Sequence, residues 1–132
     1  MKLKWEDKSI QTPLSRARGL GSARDGSTHW LHQRVTAIAN LILMPWLIWS
    51  VVNMQGWTHA DVSTWLQNPI NAILMILATI SVFYHAALGC QVVVEDYIHN
   101  EGFKFAKLIG MKLFFTACTV ACVFSIVKIA LG

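Results

Sequence analysis

Three long apolar stretches separated by short polar segments dominate the pattern of this chain. They run from about Val35 to Val52, from Ile70 to Val94 and from Leu108 to Ala130. An α-helix needs roughly 20 apolar residues to cross the hydrocarbon core of a bilayer, and each stretch approaches or exceeds that length. The pattern predicts an all-α protein with three transmembrane helices, at about 29–53, 69–100 and 107–131, in a single membrane domain over residues 1–132. Residues 1–28 are polar, with Gly19, Gly21 and Gly26 among Ser and Thr, and read as an irregular leader. Ser27 or Thr28 is the expected cap of the first helix, and Pro45 removes a backbone hydrogen bond within it. Asn68-Pro69 opens the second helix with a capping side chain followed by proline at the first helical position. That helix is expected to run past Tyr97 and stop near Gly102. No internal repeat is visible.

Composition agrees with the pattern, since 55% of the 132 residues are hydrophobic and three spans leave no room for a soluble domain. The net charge of +4 invites a nucleic-acid reading, but the placement of the charges argues against it. Seven of the eleven basic residues (Lys2, Lys4, Lys8, Arg16, Arg18, Arg24, Arg34) precede or open the first helix. The loop from Asn53 to Asn68 has none, whereas Lys104, Lys107 and Lys112 follow the second helix. This positive-inside asymmetry predicts a cytoplasmic N-terminus and second loop, with Lys128 snorkelling at the far interface. Glu6, Asp7 and Asp25, with no apolar core before them, speak against a signal or transit peptide and favour a bacterial cytoplasmic (inner) membrane. Cys90, Cys118 and Cys122 fall in apolar helix interiors and read as small packing residues.

The candidate chemistry lies in the second helix. Asp61 and Glu95 bound 33 residues without a Lys, Arg, Asp or Glu, and within them His85 is the one imidazole. An ionisable, metal-capable side chain in a membrane is a functional-site hypothesis by default. On a helix, Ala78, Ser81, His85, Gly89, Val92 and Asp96 share one face, so small residues flank the imidazole and could let it meet a flat group such as haem. The competing reading is a histidine hydrogen-bonded to a neighbouring helix. Counted along the helix, His85 lies about 16 Å deeper than Asp96. On that count none of His29, His32, His59 and His99 reaches its depth, so a second haem ligand would come from another subunit. Arg34 could pair with a haem propionate or serve as a positive-inside anchor. Tyr97 could donate a hydrogen bond to a quinone carbonyl beside Asp96, or be an aromatic-belt residue next to a solvated acid.

The segment His85-Ala86-Ala87-Leu88-Gly89-Cys90-Gln91-Val92-Val93-Val94-Glu95-Asp96-Tyr97 resembles the second-helix signature of the succinate dehydrogenase hydrophobic membrane anchor family, of the cytochrome b556 small-subunit type. Arg34-Val35-Thr36-Ala37-Ile38 resembles that family's first-helix start. The resemblance implies half of a heterodimeric anchor bundle in a succinate:quinone oxidoreductase, the complex II of respiration and the tricarboxylic acid cycle. It implies His85 as an axial ligand of haem b iron, Arg34 beside the propionates, and Asp96 and Tyr97 bordering the ubiquinone site. The implied partners are a second membrane anchor subunit supplying the other haem ligand, an iron-sulfur subunit, a flavoprotein subunit and the lipid membrane, with no nucleic acid. This chain lacks a flavin fingerprint and cluster cysteines, so it cannot oxidise succinate alone. Two rivals remain: an anchor of a quinol:fumarate reductase, and a non-redox membrane scaffold.

Overall fold

The computed structural model describes residues 12–14 and 26–132, and within them every regular element is an α-helix. Most of the polar leader, with its six basic residues, lies outside the described residues, as does whatever caps the first helix. That helix, α1, spans Gly26–Val52, so Ser27 and Thr28 belong to its first turn and do not cap it. It passes through Pro45 without interruption.

The hydropathy pattern does not reveal α2, a nine-residue helix over His59–Gln67. Its start is a capping box: the Thr58 hydroxyl accepts from Asp61 N–H, and the Asp61 carboxylate accepts from Thr58 N–H at 2.9 Å and from its hydroxyl at 2.7 Å. These bonds hold the Asp61 carboxyl below its ordinary pKa of 3.8, the Thr58 hydroxyl contributing most. Gly56 leaves the space this needs, because a Cβ there would run into the Asp61 carboxylate.

The third helix, α3, spans Pro69–Tyr97, and Asn68 Oδ1 caps it by accepting from Ile70 N–H at 3.0 Å. It ends at Tyr97, before Gly102, and the reason is a second cap. Asn100 Oδ1 accepts from Phe103 N–H at 3.1 Å and starts α4, Glu101–Leu131, at once. Gly102 therefore sits in the first turn of α4. The one described residue in a left-handed conformation is Gly132.

α3 is the middle of a row. α1 and α4 both pack along it, but no Cα of one comes within 8 Å of the other. α2 lies across one end, touching α3 and α4, and its Trp65 stacks on Trp46 of α1 with ring centroids 5.9 Å apart. The buried residues (Leu66, Ala72, Ala78, Ser81, Leu88, Ile126) trace the seams of this row. Large apolar side chains such as Leu41, Trp49 and Phe124 stand outward and exposed. α1, α3 and α4 are each long and apolar enough to cross a membrane, where hydrocarbon suits such a surface.

Candidate functional site

The small residues of α3 allow α1 to approach. Ala78 and Ser81 are buried at this seam, and a Cβ on Gly89 would stand 4.0 Å from Gln33 Nε2 of α1. The small stripe therefore receives a helix, where the sequence pattern suggested a flat group. α1 answers with polar residues of its own, because His29, Gln33, Thr36 and Asn40 recur at steps of four, three and four along one face.

The central contact joins His85 and Thr36. Thr36 Oγ1 lies 2.9 Å from His85 Nδ1, 2.8 Å from the His32 carbonyl and 3.2 Å from the Gln33 carbonyl. A hydroxyl carries one proton, and here that proton can go back to a carbonyl of α1 or across to His85 Nδ1. When it goes back, the Thr36 lone pair accepts from His85 Nδ1–H. In that arrangement His85 is the tautomer whose Nε2 holds a free lone pair. The ring nitrogens diverge, so anchoring Nδ1 on α1 turns Nε2 away from it, and Nε2 makes no hydrogen bond among the described residues. A free, oriented imidazole nitrogen beside a part-buried seam fits an axial iron ligand.

Neighbouring contacts extend the seam. Ser81 Oγ approaches the Thr36 carbonyl at 3.4 Å, and the Tyr84 hydroxyl lies 2.8 Å from His32 Nδ1. The second distance corrects a depth argument. His32 is four residues, about 6 Å, from Thr36 along α1, so its backbone lies within about one turn of the level of His85, and its ring reaches the Tyr84 hydroxyl. Counting along α3 alone hides this. His32 Nδ1 is nevertheless engaged with Tyr84. Two buried polar atoms on the α1 stripe, His29 Nε2 and Asn40 Oδ1, have no hydrogen-bond partner among the described residues.

The other candidate residues stand apart from this seam. Arg34 is two residues from Thr36, hence about 200° round the helix, and its guanidinium lies 5.6 Å from the Trp30 ring centroid. Asp96 and Tyr97 lie at the end of α3, about 16 and 18 Å from His85 along the axis. Both are exposed, Tyr97 at 79%. A groove of about 710 Å³ at this end, between α3 and α4, is lined by Cys90, Val93, Phe103 and Lys107 but not by Tyr97. No group of three or more His, Cys, Asp or Glu side chains that could hold a metal ion occurs among the described residues.

Thr36 is visible in the sequence only as part of a motif, and its role depends on the register between two helices. The signal that points to it is the polar stripe on α1, since four polar residues on one face of a membrane helix demand partners.

Comparison with known proteins agrees with this architecture. The family model described as succinate dehydrogenase/fumarate reductase transmembrane subunit matches residues 8–127. A succinate dehydrogenase hydrophobic membrane anchor subunit of Rickettsia bellii is 38% identical over 113 residues, covering 85% of this chain and 90% of its own length. The protein of the same name from Rickettsia conorii is 34% identical with the same coverage. That from Paracoccus denitrificans is 28% identical over 121 residues, 92% of this chain and 93% of its own. No solved structure matches.

Proposed function

This chain belongs to the succinate dehydrogenase/fumarate reductase transmembrane subunit family, and on that premise we propose how it works within a complex II. As a membrane anchor it pairs with a second anchor subunit and holds an iron-sulfur subunit and a flavoprotein subunit in a bacterial inner membrane. The end bearing Arg34, Asp96 and Lys104 faces the cytoplasm, as the charge asymmetry requires. The relatives' names favour succinate oxidation over the fumarate-reducing direction.

Haem b, when bound, supplies a one-electron centre inside the membrane. His85 Nε2 would hold its iron from this chain, and the partner anchor subunit would supply the other ligand. Arg34, about 3 Å from Thr36 along α1, is the cation assigned to a propionate. At the cytoplasmic end Tyr97 donates a hydrogen bond to a ubiquinone carbonyl, and Asp96 holds water for proton delivery. The exposure of Tyr97 in the isolated chain supports a site completed by neighbouring subunits.

The observation that carries this reading is the unbonded His85 Nε2, since the bond from Nδ1 to Thr36 is one that a scaffold histidine would make as well. The test is the spectrum of the purified complex. A reduced b-type α-band is expected, together with its loss or conversion to high spin in His85→Leu. A colourless wild-type complex would favour the scaffold reading, and an unchanged spectrum in His85→Leu would remove His85 from the iron.

A further inference from the structure

The geometry points to Thr36 as a positioning residue that fixes the tautomer of His85 and tunes the iron it would bind. The inference rests on the haem reading above and assigns a role to a residue that reading does not require. Thr36 Oγ1 has one proton and two kinds of neighbour, and the His32 carbonyl at 2.8 Å is placed to take the proton. Because the side chain is tied to its own backbone one turn earlier, its rotamer is set before His85 arrives. A lone pair of Oγ1 then stands ready to accept from His85 Nδ1–H at 2.9 Å. This arrangement favours the tautomer with an unprotonated Nε2, the one able to ligate a metal.

An acceptor on Nδ1–H does more than select a tautomer. It draws the proton outward and makes Nε2 a better electron donor, which favours ferric over ferrous iron. In hydrocarbon no water replaces a lost acceptor, so the effect depends on this one side chain. Loss of the Thr36 hydroxyl should therefore move the haem midpoint potential positive and weaken haem retention about 10- to 100-fold, the usual range for outer-shell partners of a metal ligand. Thr36→Ser keeps the hydroxyl and should keep both properties.

The experiment compares wild type, Thr36→Val and Thr36→Ser in the assembled complex. The readouts are haem content, midpoint potential and the g-values of the ferric haem by low-temperature electron paramagnetic resonance. Expected are a positive shift and altered g-values in the valine variant, with serine matching wild type. If valine prevents assembly, Thr36→Ala is measured in its place. Wild-type potential and g-values in the hydroxyl-free variant would overturn the inference, and so would serine behaving like valine. Either result leaves the haem reading standing provided that His85→Leu still abolishes the low-spin spectrum. A haem unaffected by His85→Leu would overturn both.

Discussion

The two seams along α3 are built on different physics. Between α1 and α3, Thr36 meets His85, His32 meets Tyr84, and Ser81 reaches the Thr36 carbonyl. Between α3 and α4 no hydrogen bond crosses among the described residues. Phe83 meets Phe115 edge-on at 6.3 Å, while the hydroxyls of Thr119 and Ser125 bond to carbonyls four residues back in α4 itself. Lipid tails are as apolar as leucine, so neither seam is closed by a hydrophobic drive. The α3–α4 seam rests on packing, which tolerates substitution by side chains of similar volume. The α1–α3 seam rests on directional bonds, and these fix one register and one ring orientation. A ligand that must be aimed belongs on the second kind of seam.

The sharpest way to break the contrast is to mutate both sides of α3. His85→Leu should eliminate the low-spin haem spectrum, whereas Phe115→Leu on the opposite seam should leave it intact. Equal loss in both variants would mean that the seams are not functionally distinct, and optical spectra of the two complexes decide.

Next in size is Tyr97→Phe, which removes a hydroxyl beyond either seam. A hydrogen bond assisted by charge on the partner is worth about 1.5–3 kcal/mol, so quinone reduction should fall by about 10- to 100-fold. Haem content, and succinate oxidation with an artificial acceptor, should persist. Unchanged quinone kinetics would return Tyr97 to the aromatic belt.

A control lies in α2, which sits across one end of the row. Thr58→Ala removes the capping box and should cost about 1 kcal/mol, seen in thermal unfolding of the complex, with no change in the haem spectrum. The same box gives a pH signature. The Asp61 pKa is depressed on folding, so its contribution is complete above 3.8 and disappears as pH falls through the lower folded-state value. Asp61→Asn should remove this acid-dependent loss of α2, measured by proteolysis of the loop between about pH 5 and 3.

The smallest effect is expected from Tyr84→Phe. Interhelical hydrogen bonds in membranes average about 0.6 kcal/mol, so loss of the contact with His32 should lower stability only slightly. A loss several times larger would mean that the polar seam acts cooperatively.

Much of this architecture can be read directly from the chain. The three spans follow from hydropathy and the start of α3 from Asn68-Pro69, since these signals are local. The pattern places the turn after α3 too late because Gly102 resembles a stop, while Asn100 three residues before Phe103 is the stronger start. α2 is faint because its nine residues carry a weak hydropathy signal, although Thr58 and Asp61 have the spacing of a capping box. At the site, His85 stands out because an imidazole in an apolar run is rare. Its partner Thr36 lies 49 positions away, and only the docking of two helices brings them together. That Arg34 is turned from Thr36 follows from the helical period, but that Thr36 is the side facing α3 follows only from that docking.

The row arrangement also bears on biogenesis. A ribosome releases α1, α2 and α3 before α4, and α4 makes no close approach to α1. Every residue of the hydrogen-bonded seam precedes α4 in the chain, so the seam needs nothing from α4 to close. A nascent hairpin of α1 and α3 can close Thr36 on His85 while α4 is still in the translocon, shielding the imidazole Nδ1 from lipid during the interval. α4 then docks against the far flank of α3, so its later arrival need not disturb the histidine already set in place.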